Sequence, residues 1–299
     1  MKLDSLYDAF INISQHLRYN DVMNLGRDLS TTNVSNDIQK NIDLYANQAI
    51  IDAIKTIPEI CGYISEEDST VVFTNSSKKH GYVAVFDPVD GSKNVLSNIT
   101  VGTIYGIYEY DIENDKLLSI KETGYCLYGP STILVRSHDT GIVLQYELNP
   151  SNEFCFKRTL SLPKTNSIYS VNMSYELDKD IETLIRQIKT DECTQRWVGA
   201  MVADCHQILM RGGVFIYPRT KKNPNGKIRL LYEAIPFAYL FKLLGGVEMD
   251  INNNSIIDRL EYVKLQSNMI HHETPIILST SYTKEQVKTL LELNDIIKC

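Results

Sequence analysis

The sequence predicts an α/β protein with two sheets rather than one simple βαβ series. Three patterns lead to this class. Amphipathic helical stripes lie near both ends of the chain, five strand-like segments fall between residues 83 and 159, and shorter strands alternate with helices after residue 163. We expect a domain boundary at the turn that begins with Pro163, which gives an N-terminal domain of residues 1–163 and a C-terminal domain of residues 164–299.

Composition narrows the classes of partner. The chain has 299 residues, with 37 acidic against 30 basic side chains and a formal net charge of −7. This acidic balance argues against nucleic acid or an anionic membrane as the main partner. No apolar run reaches the roughly 18 residues of a membrane-spanning helix, and the first residues lack a secretory-signal pattern. Scattered cysteines without a C-x-x-C pair indicate reduced thiols, so we expect a cytoplasmic protein.

The N-terminal part is predicted to contain two helices separated by a loop. Apolar residues at three- and four-residue steps predict the first helix over residues 3–25. Asp37 and Asp43 are six residues apart, so on one helix they would lie about 240° from each other. They can converge on one site only if Asp37 precedes the helix. We therefore interpret residues 26–39 as a mobile loop and start the second helix near Lys40.

The most informative segment is a short apolar strand, residues 83–86, followed by an acidic turn. Pro88 donates no ladder hydrogen bond, so the strand is predicted to stop at Asp87. Asp87 and Asp90 are hard oxygen ligands suited to Mg²⁺ or Mn²⁺. The backbone N–H groups of residues 91–93 can face an anion beside such a metal. The structural alternative is a plain Asp-Pro turn with side-chain capping.

Strands are predicted to fill the rest of the N-terminal part. Residues 100–108 form a second strand, and residues 109–121 a charged turn region. Further strands at residues 125–135, 141–148 and 153–159 are joined by Gly-Pro, Asp-Thr-Gly and Asn-Pro-Ser-Asn turns.

Beyond residue 163 strands and helices are predicted to alternate. In chain order they are a strand at residues 168–172, helices with stripes over residues 177–188 and 201–209, a strand at 214–217, a helical stretch at 229–244 interrupted at Pro236, a strand at 275–279, and a final helix opened by the capping box Thr283 to Gln286.

Seven carboxylates are candidates for chemistry: Asp37, Asp43, Glu66, Glu67, Asp87, Asp90 and Glu233. Glu66 and Glu67 belong to an acidic run that is ordinarily a solvated face, and Glu233 could be a plain surface residue. Lys227 and Arg229 alternate with apolar residues, so both can project to one face and suit an anionic ligand. Taken singly, each has an ordinary structural explanation.

Together these residues form a set of ordered motifs. They are Ser65-Glu66-Glu67-Asp68; Phe86-Asp87-Pro88-Val89-Asp90-Gly91-Ser92 with Asn94; Val101-Gly102-Thr103-Ile104; Gly124-Tyr125 with Leu127-Tyr128-Gly129; Val198-Gly199 with Met201-Val202-Ala203-Asp204; and Gly226-Lys227 with Arg229-Leu230-Leu231-Tyr232-Glu233. From about residue 33 to the C-terminus the chain resembles the class I fructose-1,6-bisphosphatase family, of which sedoheptulose-1,7-bisphosphatase is a close relative.

This resemblance implies a layered αβαβα sugar-phosphatase fold with two mixed sheets. It also implies Mg²⁺-dependent hydrolysis of the 1-phosphate of a sugar bisphosphate in carbohydrate metabolism, including gluconeogenesis. The N-terminal domain would carry most metal and catalytic carboxylates, and the C-terminal domain the sugar and distal-phosphate site. The family also implies a homo-oligomer, a dimer or tetramer, in which Arg196 reaches a neighbouring subunit's site.

The roles of individual residues are likewise implied by the resemblance. The residues expected to hold two or three metal ions are Asp37, Glu66, Asp87, Asp90, Glu233 and the carbonyl of Val89. Asp43 and Glu67 are expected to orient and deprotonate the attacking water, with Asp37 as an alternative proton-transfer group. The residues expected to bind substrate are Asp90, Gly91, Ser92, Lys93, Asn172, Tyr175, Arg196, Tyr217, Lys227 and Arg229.

Four positions depart from the family pattern. Lys93 stands where the family usually has a second Ser, and Trp197 where it usually has Tyr. Gly81 and Glu109 replace basic residues used for AMP, and the N-terminus is short. We therefore expect that AMP does not inhibit this protein.

Alternatives to the fructose substrate remain. The segment from Asn98 to Ile104 also resembles the sedoheptulose-1,7-bisphosphatase version of the motif, which makes a seven-carbon bisphosphate the second candidate. Inositol monophosphatase is a remoter relative that lacks the cluster of Lys227 and Arg229. A catalytically inactive sugar-phosphate sensor is the alternative from a different class, although the survival of all seven carboxylates speaks against it.

Overall fold

The structure is a computed structural model that describes residues 1–19, 26–32, 38–74, 80–163, 165–172, 177, 179–191, 193–265, 268–282 and 285–289. Within these ranges no helix combines the length and the apolar character needed to cross a bilayer. The five cysteines they contain are thiols, and Cys155 alone among these five is exposed.

The chain opens with two helices and a short ribbon. In order these are α1 (Asp4–Leu17), β1 (Asp28–Thr32), β2 (Ile38–Lys40) and α2 (Asn41–Lys55). The ribbon strands β1 and β2 pair antiparallel.

An eight-stranded sheet follows. Its strands are β3 (Ile60–Ser65), β4 (Val72–Phe73), β5 (His80–Asp90), β6 (Val101–Asp111), β7 (Lys116–Tyr128), β8 (Thr132–Ser137), β9 (Val143–Leu148) and β10 (Phe154–Thr159). They lie in the order β10-β9-β8-β7-β6-β5-β3-β4. Only β3 and β5 pair parallel, and all the other neighbours in this sheet are antiparallel. A 3₁₀ helix, Ser92–Ser97, connects β5 to β6.

The two faces of this sheet bury different side chains. In β5, Ala84 and Phe86 pack with Phe10 of α1, whereas Val83 and Val85 belong to the core on the opposite face. Successive side chains of a strand point to opposite faces. Because both faces are covered, residues 83–86 are apolar throughout rather than alternating.

The C-terminal part forms a smaller sheet with its own helices. Its elements are β11 (Ile168–Val171), α3 (Lys179–Thr190), β12 (Thr194–Gln195), α4 (Met201–Arg211), β13 (Gly213–Tyr217), β14 (Ile228–Arg229), a π-helix (Leu230–Ala234), α5 (Ile235–Leu243), β15 (Val247–Met249), two 3₁₀ helices (Ile257–Tyr262 and Asn268–His271), β16 (Glu273–Thr274) and β17 (Ile276–Ser279). The five-stranded order is β12-β11-β13-β17-β15, and β14 pairs with β16 as a separate ribbon.

Helices α4 and α5 form a middle layer between the two sheets. Ile208 of α4 and Phe237 of α5 share one core with Val85 of the larger sheet and Phe215 of the smaller sheet. Ile185 of α3 packs on the outer face of the smaller sheet, and α1 and α2 cover the outer face of the larger one. The layers therefore run helix, sheet, helix, sheet, helix, which confirms the predicted α/β class and the αβαβα arrangement with two mixed sheets.

Two predictions for the N-terminal part are wrong in their bounds. The first helix ends at Leu17 rather than residue 25, with a turn at residues 18–19 and residues 20–25 outside the described ranges. The predicted loop at residues 26–39 contains the ribbon of β1 and β2. Both ribbon strands are mostly polar and lack the alternation that signals a half-buried strand. The second helix begins at Asn41, next to the predicted start.

The strand predicted to stop at Asp87 continues to Asp90. Its pairing with β6 shifts register between Asp87 and Asp90, so Pro88 lies in an irregular position where no ladder donor is needed. The charged region predicted as a turn at residues 109–121 contains the turn of the β6–β7 hairpin at residues 112–115, whereas its flanks are the strand arms of that hairpin. Tyr110 and Leu117 pair across that hairpin and are buried.

The helical stretch predicted at residues 229–244 is divided in three. It begins in strand β14, passes through the π-helix, and becomes α5, in which Pro236 occupies the first turn. Proline has no N–H to donate, and the first turn is the part of a helix in which it is best tolerated. The other predicted strands and helices of this part are present within about two residues of their predicted bounds. The capping residue Thr283 lies outside the described residues, and residues 285–289 are helical.

Candidate active site

A cavity of about 320 Å³ lies where the end of β5 meets the N-terminus of α4 and the π-helix. It collects most of the predicted site residues. Its lining comprises Asp43, Glu66, Glu67, Asp87, Val89, Asp90, Gly91, Ser92, Lys93, Asn172, Trp197, Gly199, Met201, Phe215, Tyr217, Lys227, Ile228, Arg229 and Glu233.

Three carboxylates converge in this cavity. Oxygen atoms of Asp87, Asp90 and Glu233 all lie within 4.8 Å of one another, although Glu233 is more than 140 positions from the other two in the chain. The three residues are only 2%, 8% and 9% exposed. The convergence comes from the fold, because β5 supplies two of the groups and the π-helix the third.

The end of β5 is shaped by local hydrogen bonds. The Asp87 carboxylate accepts a bond from the backbone N–H of Val89 at 3.0 Å, which holds the turn that brings Asp87 and Asp90 to one side. The carbonyl of Pro88 accepts a bond from the Thr103 hydroxyl of β6 at 2.8 Å. A side chain therefore supplies the bond that the irregular pairing leaves out of the ladder.

The π-helix holds Glu233 at the cavity. The backbone N–H of Arg229 donates to the Glu233 carboxylate, and the Tyr108 hydroxyl of β6 donates to the carbonyl of Leu231 at 2.9 Å. The Tyr232 hydroxyl is hydrogen-bonded to Nδ1 of His271 at 3.0 Å. A π-helical turn places one more residue in each turn than an α-helix does, and such turns frequently occur at functional sites.

Burial and mutual repulsion raise the pKa values of the carboxyl groups in this cluster. Burial, followed by repulsion from Glu233, raises the pKa of Glu66 to about 8. Burial and the negative charge of Asp90 raise the pKa of Glu233 to about 8. The pKa of Asp87 is raised well above its usual range by burial and then by Glu66, Asp90 and Glu233, and burial raises that of Asp90 to about 7.

Burial is the largest cause of these raised pKa values and mutual repulsion adds to it, so the four carboxyl groups hold protons more tightly than usual when only protein surrounds them. A divalent cation bound by hard oxygen atoms cancels this repulsion, and carboxylates at such spacing are the donors that Mg²⁺ and Mn²⁺ prefer. The donor set of Asp87, Asp90 and Glu233 therefore fits a metal ion. Glu66 is partly buried beside them, so the solvated-face interpretation of this acidic residue is wrong.

Asp43 and Glu67 also line the cavity. Asp43 lies in the first turn of α2 and accepts a bond from the backbone N–H of Lys40 at 2.7 Å. Burial is the main cause that raises the pKa of Asp43 to about 7, and the negative charge of Glu67 adds to the rise. A hydrogen bond with Ser92 acts in the opposite direction and lowers this pKa. A carboxyl group with a pKa near neutrality can give and take a proton under ordinary conditions.

The turn after Asp90 makes close contact with the C-terminal half. Gly91 has a left-handed φ of +79°, and a Cβ on it would lie 2.4 Å from the Cβ of Ala200, so only glycine fits. The Val202 N–H, in the first turn of α4, donates to Asp90 at 2.6 Å. The Asn94 amide donates to the carbonyl of Val198 at 3.2 Å. The segment that begins with Ser92 is thus fixed against α4.

Basic and aromatic side chains form the remaining wall. Arg229 is half-buried and pairs with Glu273 at 3.0 Å, while Lys227 is exposed. The rings of Trp197 and Tyr217 lie 6.0 Å apart between their centroids. We call the carboxylate-lined part of the cavity its acidic end and this basic, aromatic wall its basic end.

Three predicted residues are not placed in the cavity. Asp37 and Tyr175 lie outside the described residues. Arg196 is exposed and absent from the lining, and its guanidinium donates to the carbonyl of Gln195 at 2.9 Å. An exposed position is compatible with the expected reach toward a neighbouring subunit.

Sequence reasoning missed several residues that shape the site. Met201 and Phe215 line the cavity, and Asp204 is buried directly beneath its wall. The strand pattern of residues 214–217 identified Phe215 only as core. Asp204 belonged to a quoted motif, but a single acidic residue on a helix carries no further signal by itself.

The layered fold with an acidic cavity between its halves defines the sugar-phosphatase class. Sequence models of one family match nearly the whole chain: residues 1–158 match "Fructose-1-6-bisphosphatase, N-terminal domain" and residues 162–292 match "Fructose-1-6-bisphosphatase, C-terminal domain".

Individual relatives agree. The chain is 34% identical to fructose-1,6-bisphosphatase 1 of Rattus norvegicus, covering 97% of this chain and 82% of the relative. It is also 34% identical to the cytosolic fructose-1,6-bisphosphatase of Brassica napus, covering 87% and 79%. A crystal structure of Leishmania major fructose-1,6-bisphosphatase in holo form superposes with a TM-score of 0.85 at 26% identity, covering 97% of this chain and 92% of that one. The chain belongs to the fructose-1,6-bisphosphatase family.

Proposed function

We propose that this protein hydrolyses the 1-phosphate of fructose 1,6-bisphosphate, giving fructose 6-phosphate and inorganic phosphate, as a sugar-bisphosphate phosphatase of carbohydrate metabolism. One observation carries the proposal beyond family membership. The carboxylates of Asp87, Asp90 and Glu233 converge within 4.8 Å, in a cavity that is also lined by Lys227 and Arg229. An acidic end for metal and a basic end for anion match a substrate with two phosphates.

Members of this family depend on a metal, and we infer that Mg²⁺ serves here, with Mn²⁺ as a possible substitute. The residues proposed to hold two or three ions are Glu66, Asp87, Asp90, Glu233 and the carbonyl of Val89, with Asp37 as a further ligand or proton-transfer group. Bound Mg²⁺ would neutralise phosphate charge and acidify a coordinated water.

The protein's own residues would then orient the reaction. Asp43 and Glu67 are proposed to accept a proton from the attacking water, and the pKa of about 7 for Asp43 supports its part in this role. Ser92 hydrogen-bonds with Asp43, and together with Gly91 and Lys93 it begins the segment proposed to hold the reacting phosphate. A fixed segment of this kind lowers the entropic cost of alignment.

The second phosphate and the sugar are proposed to bind at the basic end. A dianion that touches no metal needs cationic donors, and Lys227 and Arg229 provide them. Asn172 and Tyr217 line the same region and are proposed to contact the sugar, as is Tyr175. Arg196 is proposed to complete this end in a neighbouring subunit of a dimer or tetramer.

Two broader properties concern location and domain organisation. Relatives from Brassica napus and Arabidopsis thaliana are named cytosolic, which supports a cytoplasmic location. The division into domains of residues 1–163 and 164–299 stays a prediction.

The decisive experiment measures phosphate release from fructose 1,6-bisphosphate and from sedoheptulose 1,7-bisphosphate, with Mg²⁺ and after treatment with a chelator. We expect Mg²⁺-dependent release with the larger kcat/KM for the fructose substrate. Trp197 and Lys93 alter the wall and the phosphate segment, so the seven-carbon substrate is the second candidate, and a larger kcat/KM for it would select it. Calorimetric binding of either sugar without any phosphate release would instead identify an inactive sensor.

A further inference from the structure

Asp204 is a buried carboxylate that none of the proposed roles uses. It lies in the first turn of α4 and is 1% exposed. One carboxylate oxygen accepts bonds from the backbone N–H of Val198 at 2.9 Å and from the Ser170 hydroxyl at 2.7 Å. The other accepts a bond from the backbone N–H of Gly199 at 3.0 Å. Two successive backbone donors thus end on one side chain.

Those donors belong to the segment of residues 196–200, which we call the wall segment. Its side chain Trp197 and its backbone at Gly199 line the cavity. Its first residue bonds to strand β11 through the N–H of Arg196 and the carbonyl of Tyr169 at 2.9 Å. Its last residue, Ala200, packs against Gly91. Asp204 therefore holds the middle of a segment whose two ends are fixed elsewhere.

The conformation of the wall segment needs this support. Gly199 has a left-handed φ of +81°, and such a turn leaves its N–H pointing away from any regular ladder. A carboxylate binds two adjacent N–H groups more strongly than a neutral acceptor does, so its bonds hold the segment in this conformation. Ser170 lies on β11, so its bond ties the carboxylate, and through it the wall segment, to the smaller sheet.

We propose that Asp204 is a positioning residue: it fixes the wall segment and thereby sets the affinity for the sugar end of the substrate. The statement about the sugar end rests on the proposed function, whereas the statement about the wall segment does not. The acidic end is held by other bonds, including those of Val89, Val202 and Arg229, so Asp204 is expected to influence binding more than the chemical step.

Kinetics of two variants test the first half of this proposal. Asp204→Asn keeps one acceptor oxygen but turns an amide donor toward the N–H of Gly199. We expect KM for fructose 1,6-bisphosphate to rise about tenfold with kcat changed less than about threefold. Ser170→Ala removes one donor and is expected to raise KM about threefold. In the double variant the two increases should not multiply, because both act through one carboxylate.

Fluorescence tests the wall segment without any substrate. Trp197 is the single tryptophan of the chain, so its emission reports this segment alone. We expect Asp204→Asn to shift the emission to longer wavelength and to increase quenching by acrylamide about twofold, since the indole becomes more mobile and more hydrated.

Glu248→Gln provides the matched control. Glu248 is also a buried carboxylate that accepts bonds from a backbone N–H and a serine hydroxyl, those of Ile256 and Ser255, both at 2.7 Å, but it is absent from the cavity lining. A folded Asp204→Asn protein with unchanged KM and unchanged quenching would overturn the proposal, as would equal changes in Glu248→Gln. If the wild-type protein released no phosphate, the proposed function would fail, and the quenching comparison would still decide the role of Asp204.

Discussion

The acidic and basic ends of the cavity are built in different ways. At the acidic end the carboxylates of Asp87, Asp90 and Glu233 are almost fully buried, and each accepts a bond from a backbone N–H. At the basic end Trp197 is 38% exposed and Lys227 is exposed. Backbone hydrogen bonds therefore fix the carboxylates proposed for chemistry. The groups proposed for substrate choice are side chains at the basic end, which we also call the rim of the cavity.

This contrast predicts that changes at the two ends differ in size and in kind. We expect substitutions at the acidic end to have the larger effects on activity, because its carboxylates are buried together and their charges act on one another. We expect substitutions at the rim to change the affinity for substrate by smaller amounts, because side chains there contact solvent as well as ligand.

The largest effect is expected from Glu233→Gln. Loss of one anionic ligand should lower kcat/KM at least about a thousandfold and weaken Mg²⁺ binding measured by calorimetry. Asp111→Asn, an exposed carboxylate at the end of β6, is the matched control and should leave both values unchanged. Retention of more than about a tenth of the activity in Glu233→Gln would remove this residue from the proposed metal site.

The next effect concerns pH and the metal together. The folded-state pKa values of Glu66 and Glu233 are about 8, above the ordinary carboxyl value near 4.3. The folded protein without metal thus binds more protons than the unfolded chain between these values. The part of the stability that comes from these two groups is fully present below about pH 4 and is lost as the pH rises through about 8.

Calorimetric melting measures this effect. In chelator we expect Tm to fall by about 5 °C or more between pH 5 and pH 8. Saturating Mg²⁺ should raise Tm by more near pH 8 than near pH 5, because protons compete with the metal for the carboxylates. Glu233→Gln should flatten the dependence. A Tm in chelator that rises over this interval would contradict the described crowding of carboxylates.

A moderate effect is expected from Lys227→Ala at the rim. Loss of one cationic contact to the distal phosphate should raise KM about 10- to 50-fold and leave kcat within about threefold. The wild-type KM should also rise with ionic strength, since an exposed charge is screened. Lys222→Ala, on the same loop but away from the cavity lining, is the control. An unchanged KM in Lys227→Ala would place the second phosphate elsewhere.

A small effect is expected from Trp197→Tyr. The phenol would add a hydroxyl at the position where the family usually has one, and a single neutral hydrogen bond corresponds to about a threefold gain in kcat/KM for fructose 1,6-bisphosphate. Measuring sedoheptulose 1,7-bisphosphate in parallel separates a general gain from a change of preference. A loss of activity on both substrates would mean that the indole itself contacts the sugar.

No effect is expected from AMP. Glu109 places a carboxylate on β6, bonded to the Ser119 hydroxyl at 2.7 Å, and Gly81 offers no side chain on the neighbouring strand, so this region repels a nucleotide phosphate rather than binding it. Initial rates with increasing AMP should stay constant. Inhibition at micromolar AMP would show that another surface binds the nucleotide.

The sequence predicted the parts of the site that depend on local order. The strand with its acidic turn, the alternation of elements after residue 163, and the start of α2 near Asp43 all follow from short patterns. The irregular pairing that carries β5 through Pro88 could not be predicted, because it depends on Thr103 of a neighbouring strand. The position of Glu233 came only from family resemblance, since no local signal announces a π-helix.

The sequence also could not predict which buried residues support the site. Asp204 is polar and lies on an amphipathic helix, where an acidic residue is ordinarily solvated. Its buried carboxylate accepts bonds from residues 198–199 and from Ser170, which lies 34 positions earlier in the chain and is not indicated by any local pattern. The ribbon within the predicted loop of residues 26–39 was missed for a related reason, since its polar strands lack a hydrophobic alternation.

The core shared by the two sheets has a consequence for gene fragments. Because Val85, Phe215 and Phe237 pack into one cluster, neither half of the polypeptide covers its apolar surface alone. A chain truncated after residue 163 should therefore be insoluble and inert when synthesised by itself. Co-expressed with residues 164–299, it should be recovered as a noncovalent pair that regains turnover, which would make this protein a natural scaffold for split-enzyme complementation.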